Sequence, residues 1–573
     1  MKLDINQRTI LEGRYLQRDE AGRVVETPEE LFWRVARAVA SAEARFGADA
    51  KQVGSWAQRF FTLMSNFDFL PNSPTLINAG RELGQLAACF VLPVEDSIES
   101  IFETLKEAAL IHKSGGGTGF NFSRLRPKGD PVQSTGGVAS GPVSFMRIFN
   151  AATEEIKQGG VRRGANMGIL QADHPDILEF IASKDQEGAF RNFNISVALK
   201  DEFLTAVKRD KEYPLVFKRK VYRTLPARQI FDEITRHAYK NGEPGVIFID
   251  AVNRANPTPA LGDIEATNPC GEQPLLPYES CTLGSVNLLQ MIQGMSVAWD
   301  KLREVVHLAV RFLDNVIEIN SFPTPEIAAA TRRSRKIGLG VMGWADMLYS
   351  LEIPYDSDGA LDLAEEVASF IIEEARAASR ALAGERGPFP SWAGSVYHPE
   401  LPLRHATLTT IAPTGSVSGI AGVSPGIEPV FALSYTRTVL DGKKLLMVDK
   451  VFLGYLRAGF SEAQRETILN AVYLNGTLQE THEVPEQTRK IFKTALEISP
   501  QWHLKTQAAF QKYVDNAVSK TVNLPQTATE ADVAAIFREA HALGLKGLTL
   551  YRTGSRKEQP LTPLVNCPPC QEN

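Results

Sequence analysis

Asn268, Cys270 and Glu272 bring an amide, a thiol and a carboxylate into five consecutive positions. In an extended backbone, residues i, i+2 and i+4 point to one face, about 6.6 Å apart per step at the usual strand rise. Pro269 biases Asn268 toward that conformation. In that conformation an amide, a thiol and a carboxylate can converge on one small ligand. Such a set suits thiol chemistry with a carboxylate as proton acceptor. As a bare pattern it also suits a polar turn around a buried cysteine.

The remaining cysteines are Cys89, Cys281 and the pair in Cys567-Pro568-Pro569-Cys570. Five thiols in 573 residues are too few, and an odd number, for a disulfide framework. They fit a reducing compartment, so a cytoplasmic location is expected. Cys89 and Cys281 read either as small buried hydrophobes or as redox thiols. Cys567 and Cys570 could exchange disulfides or supply half a zinc site. Zinc needs four ligands, and no second Cys-x-x-Cys or nearby His accompanies them, so no metal is expected.

The composition is that of an ordinary globular chain, 43% hydrophobic and 23% charged. No run of eighteen uncharged apolar residues suggests a membrane span. The opening Met1-Lys2-Leu3-Asp4 lacks the apolar core of a signal peptide. A net charge of −5 argues against a broad nucleic-acid surface. A small anion remains possible, held locally by backbone N–H groups.

The elements that must position these thiols alternate in type. Residues 1–70 read as a helical segment, with Leu31, Val35, Val39 and Ala42 at near-helical spacing after Thr27-Pro28-Glu29-Glu30. Pro71-Asn72-Ser73-Pro74-Thr75 breaks that pattern. Residues 71–552 alternate amphipathic helices with short apolar runs, as at 88–92, 245–249 and 406–411. One helix carries Phe145, Phe149, Ala152 and Ile156 and is expected to stop at Gly159-Gly160. Another carries Leu361, Ala364, Val367 and Ile371. The alternation predicts an α/β fold with a mainly parallel sheet or barrel. Residues 553–573 read as a mobile tail bearing the last two cysteines. Gly338-Leu-Gly340-Val-Met-Gly343 matches GxGxxG, but the preceding Thr331–Lys336 is basic rather than a buried strand, so a dinucleotide site is rejected.

The stretch from Asn268 through Cys281 to Asn287 resembles the active-site loop of ribonucleotide reductase large subunits. Three further motifs are similar to that family: Pro71–Gly80 followed by Ala88–Val91, Lys113–Gly119, and Ile411–Val417. Thr282 and Ala87 depart from its usual Asn and Ser. The resemblance implies a ten-stranded α/β barrel entered by a central finger loop. It implies that Cys270 carries a thiyl radical, with Glu272 as general base and Asn268 holding the same region. Cys89 and Cys281 would be the reducing pair, which only the fold can bring within the roughly 4.4–6.8 Å Cα separation of a disulfide. Cys567 and Cys570 would re-reduce it, themselves served by a thioredoxin-like reductant. Ser73, Ala88 and Gly117 would bind substrate phosphate together with Pro413, Thr414, Gly415, Ser416 and Val417. Residues 158–166 and 183–192 resemble the loops that carry the signal of a deoxynucleotide effector. The Phe145–Ile156 helix would pack against its copy in a homodimer.

No Tyr-Tyr pair of the kind that relays a radical from a separate metal subunit occurs in the chain. Lys546–Arg556 and Leu11–Leu16 resemble the adenosylcobalamin-dependent type. The implied cofactor is therefore adenosylcobalamin, and the implied reaction is reduction of ribonucleotides for DNA synthesis. A large subunit needing a separate radical generator, and a nucleotide-binding regulator without chemistry, are the alternatives. The N-terminal segment is expected to be too short for the helical ATP-binding module of many relatives.

Overall fold

Thr27 and Glu30 cap each other's backbone N–H groups and start the helix Pro28–Ala40. The helices Ile5–Arg14 and Ala50–Ser65 flank it, each opened by its own Asp/Gln capping box. Leu31, Val35 and Val39 are fully buried, as their spacing predicts, while Ala42 falls in the 3-10 turn that follows. In this computed structural model, residues 1–132, 136–158, 162–439, 443–555 and 561–562 are described. Cys567, Cys570, Gly159 and Gly160 lie outside the described residues.

Ten strands share one sheet. In chain order they are β1 (Phe69–Pro71), β2 (Cys89–Leu92), β3 (Gly117–Asn121), β4 (Asn166–Gln171) and β5 (Phe193–Leu199). The others are β6 (Gly245–Phe248), β7 (Ser280–Asn287), β8 (Ile337–Met342), β9 (Thr521–Leu524) and β10 (Gly547–Arg552). Strands β2 to β6 run parallel to their neighbours, and so do the pairs β7/β8 and β9/β10. Antiparallel seams join the two sets where β7 meets β2 and where β6 meets β10; β1 also pairs antiparallel with β7. The ends close through single bridges, Leu339 to Thr409 and Ile411 to Val518. This is the expected barrel, preceded by the helical segment.

The apolar run 406–411 contributes these bridges rather than a regular strand. Thr407 and Leu408 both accept from β8, from Ile337 and Leu339, so two successive residues face alternate ones and the ladder cannot continue. Gly340 permits this contact, because a Cβ there would lie 2.2 Å from the Thr410 carbonyl oxygen. The glycines of the GxGxxG segment thus serve close packing in β8. The helix carrying Phe149 spans Pro142–Glu155; Ile156 is already extended, one residue beyond it. The prolines at 71 and 74 do not merely interrupt: Asn72 caps a short helix, Ser73–Asn78, and Pro74 sits in its first turn.

Side chains alternate across β2. Phe90 and Leu92 enter the core outside the barrel, whereas Cys89 and Val91 point inward to join Met167, Ile169, Ile247 and Leu275. Both faces are covered, so the whole strand is buried.

Candidate active site

Asn268, Cys270 and Glu272 do not lie on an extended strand. Residues Ala266–Thr267 pair antiparallel with Pro274–Leu275. Between them the chain turns back, with the Gly271 N–H donating to Asn268 O at 3.1 Å and Gly271 at φ +81°. The Asn268 carboxamide oxygen accepts from Gln273 N at 3.0 Å and closes the base of the turn. The three side chains therefore do not share the face of an extended segment; the chain forms the finger that the resemblance implies. Asn268 and Glu272 are buried at its sides, and Cys270 is exposed at its tip.

The finger stands inside the barrel. A Cβ on Gly119 of β3 would fall 1.7 Å from the Thr267 carbonyl oxygen, and one on Gly117 would meet the Pro269 ring at 2.9 Å. Only glycine allows the finger to lie this close to β3. Asn194 of β5, two strands along the same wall, donates to the Pro269 carbonyl at 2.8 Å and fixes the tip. Cys270, Pro269 and Gly271 consequently line a cavity of about 780 Å³ rather than the outer surface.

Cys89 and Cys281 are direct cross-strand partners at the seam between β2 and β7. Opposed residues of an antiparallel pair have Cα atoms about 4.5–5.5 Å apart, within the range a disulfide needs. Both are buried. The Asn268 amide donates to the Cys89 sulfur at 3.2 Å, tying this cross-strand pair to the finger. Burial pushes the Cys281 thiol well above its usual range; Lys336 opposes this, and the Glu279 and Glu272 carboxylates add to it. Cys281 is thus held as a neutral thiol with a proton to give.

Glu272 is held by its backbone, whose carbonyl accepts from Ala517 N and from the Thr410 hydroxyl, each at 2.9 Å. Pro413 and Gly415 line the same cavity as Cys270. Thr414 adopts φ +49°, and its hydroxyl accepts from Gly426 N at 2.7 Å, curling the loop over the start of the short helix Val417–Ala421. Ser416 and Ser73 meet the N-terminal segment through Arg14 and Tyr15. Ala88 and Gly117 stand apart from this group: the Ala88 N–H donates to Cys281 O and the Gly117 N–H to Ala88 O, so both donors are already engaged in the sheet.

A family model described as "Ribonucleotide reductase, barrel domain" matches residues 87–402 and 398–551, and one described as "Ribonucleotide reductase, all-alpha domain" matches residues 1–84. The chain belongs to the ribonucleotide reductase family. It is similar to the vitamin B12-dependent ribonucleoside-diphosphate reductase of Thermoplasma acidophilum, 49% identical over 98% of this chain and 80% of that one. It is equally similar to the enzyme of the same description from Mycobacterium tuberculosis, 49% identical over 98% of this chain and 81% of that one. The class Id ribonucleotide reductase alpha subunit of Actinobacillus ureae has the same fold, with a TM-score of 0.78 and 24% identity over 96% and 97% of the two chains.

Several features of this reductase were not visible in its sequence motifs. Lys336 and Glu279 form a fully buried ion pair, 2.6 Å long, beside Cys281. Glu279 stands two residues before Cys281, just ahead of β7, and a charge that close in sequence is a readable signal. Lys336, 57 positions away, carries none. Residues 158–166 and 183–192 meet through Asn166 N, which donates to Asn192 O at 2.8 Å, and the helix Pro142–Glu155 joins them through Glu154, which accepts from Asn192 Nδ2. Residues 159–161 lie outside the described set.

Two carboxylates, the buried Asp346 and the half-buried Asp449, also line the cavity. Burial, and then the neighbouring Asp346, push Asp449 up to about 7. A carboxyl raised on folding contributes most stability when protonated, and loses it as pH rises from the ordinary carboxylate range through about 7. Asp449 accepts from Phe452 N at 2.8 Å, a helix cap that asparagine also makes. Asp449→Asn is therefore expected to raise the Tm by several degrees near about pH 8, with the gain shrinking as pH falls toward about 4. Melting curves across that range check it; a gain independent of pH contradicts it.

Proposed function

We propose that this chain reduces ribonucleotides to 2′-deoxyribonucleotides with Cys270 as the radical-bearing thiol and Cys89 and Cys281 as the electron source. The observation that carries this reading is the opposition of Cys89 and Cys281 across β2 and β7, with Asn268 on the Cys89 sulfur and Cys270 two residues further along the finger. A Cys270 thiyl radical takes the hydrogen from C3′ of the ribose. Glu272 accepts the 3′-OH proton, which weakens the neighbouring C2′–O bond. One thiol of the pair protonates the departing 2′-oxygen, which leaves as water. The pair supplies two electrons, its second hydrogen goes to C2′ and it ends as a disulfide; Glu272 returns its proton to the 3′-oxygen, and Cys270 returns its hydrogen to C3′.

The relatives' stated dependence on vitamin B12 extends here to adenosylcobalamin. The cavity wall beyond the finger tip, with Phe431, Tyr435 and Met447, would hold the cofactor. Bound there, it supplies the one-electron chemistry that starts the thiyl radical. The substrate's phosphates would rest on residues 413–417 and Ser73, with Ala88 and Gly117 shaping the floor. A deoxynucleotide effector would act through the loops at 158–166 and 183–192. A homodimer would form on the helix Pro142–Glu155, where Ile148 is exposed. Residues 1–70, 71–552 and 553–573 would divide into helical segment, catalytic barrel and redox tail, with Cys567 and Cys570 passing electrons from a thioredoxin-like reductant. No helix among the described residues is long and apolar enough to cross a membrane, and the cysteine usage favours the cytoplasm.

The isolated chain, given adenosylcobalamin, a ribonucleoside diphosphate and a dithiol, is expected to form deoxynucleotide without a second protein. A single turnover without dithiol, in a Cys567→Ser/Cys570→Ser variant, is expected to leave a Cys89–Cys281 disulfide identifiable by peptide mass spectrometry. Product formed only after addition of a separate radical-generating subunit would instead select the two-subunit reading. No product from either source would leave a nucleotide-binding regulator.

A further inference from the structure

We infer that Arg14, at the end of the first helix, is a direct ligand of the substrate's terminal phosphate, and that Tyr15 beside it sets the position of Ser73 in the same site. This rests on the assignment of residues 413–417 and Ser73 to substrate phosphate.

The geometry begins with Arg14 Nη1, which donates to the Ser416 hydroxyl at 3.2 Å. The next residue, Tyr15, shares a 2.8 Å hydroxyl hydrogen bond with Ser73. Two consecutive residues of the N-terminal segment therefore touch both halves of the proposed phosphate site, which lie more than 340 positions apart in the chain. Gln7 Nε2 donates to Ile420 O at 2.7 Å and pins the same helix onto the short helix that follows the loop.

The charge balance is the second observation. Lys450 and Lys520 line the cavity, and each is paired with a carboxylate, Asp4 at 2.9 Å and Glu428 at 2.6 Å. Arg14 has no carboxylate partner among the described residues, and its Nε is buried without a hydrogen bond. A half-buried guanidinium left in this state is costly unless an anion completes it. The planar fork of Arg matches a phosphate with two parallel donors. The Ser416 hydroxyl that Arg14 holds is one residue from Gly415; Gly415 lines the cavity, while Arg14 and Ser416 stand behind that lining, so a phosphate seated on the loop would lie next to the residue that the cation holds.

The test uses the full chain and a ribonucleoside diphosphate as probe. Calorimetric Kd and steady-state KM are measured for the parent, Arg14→Gln, Arg14→Lys and Ser416→Ala. Arg14→Gln is expected to weaken diphosphate binding about 10- to 100-fold, the loss of a charge-assisted contact, with KM rising more than kcat falls. Arg14→Lys keeps the charge but loses the fork, and is expected to recover part of the affinity. The bare nucleoside is expected to bind the parent and Arg14→Gln alike, a distinction that a purely structural role would not produce. Equal diphosphate Kd for the parent and Arg14→Gln, alongside weakened binding by Ser416→Ala, overturns the role of Arg14 while leaving the phosphate loop in place. Failure of the parent to bind the diphosphate overturns both.

Discussion

Cys270→Ala is expected to abolish deoxynucleotide formation, lowering turnover by about 10⁴-fold or more, as deletion of a group on which the bond-making step depends does. Its Kd for the ribonucleoside diphosphate is expected to stay close to the parent value, because the tip residue lies apart from the phosphate loop. The substitution removes one sulfur atom from an exposed position, so neither the core nor the turn at Gly271 is disturbed. A product assay with adenosylcobalamin, run beside calorimetry, gives both numbers. Turnover within about tenfold of the parent would remove Cys270 from the chemistry.

Gly119→Ala is expected to have the largest effect on the fold for its size. The added Cβ would sit 1.7 Å from the Thr267 carbonyl oxygen and 2.7 Å from its carbon, and both belong to the finger backbone. Neither can rotate away, so the finger must move. Overpacking of this kind costs about 1–3 kcal/mol or more, and a value at or above the top of that range is expected in denaturant unfolding. Activity should fall with it, because Asn268, which holds the Cys89 sulfur, immediately follows Thr267. Gly384 provides the contrast. It lies in the helix Asp358–Arg386, with nothing within 4 Å of its would-be Cβ. Gly384→Ala is expected to stabilise by about 0.5–1 kcal/mol through helix propensity alone. Equal effects at the two positions would mean that the finger does not press on β3.

The parts of the site that the sequence made legible are those encoded by local rules. The alternation in β2 already sorts Cys89 and Val91 from Phe90 and Leu92, and the structure sends them to opposite faces. The Thr27–Glu30 box marks its helix to the residue. The finger itself was legible only through the family resemblance: Pro269 taken alone favours extended backbone at Asn268, whereas Gly271 two residues later permits the reversal. The turn then won because two hydrogen bonds close it and β3 lacks the side chains that would exclude it. The run at 406–411 looked like a regular strand because its apolar content is right; the doubled contact of Thr407 and Leu408 depends on β8, seventy residues away. Arg14 and Lys336 were illegible for a related reason. Their partners, Ser416 and Glu279, are remote in sequence, and a lone basic residue carries no mark of where its charge is satisfied.

The seam between β2 and β7 has a mechanical consequence. Because Cys89 and Cys281 already face each other across an antiparallel ladder, their sulfurs can join and part by side-chain rotation, with no slippage of one strand along the other. In the proposed cycle the travelling component is then the incoming electron donor. Cys281 has no exposed surface, and the chamber in front of the finger measures only about 780 Å³, far smaller than any folded domain. Under the proposed chemistry, these thiols are open to a thread of peptide or a small dithiol and closed to a globule.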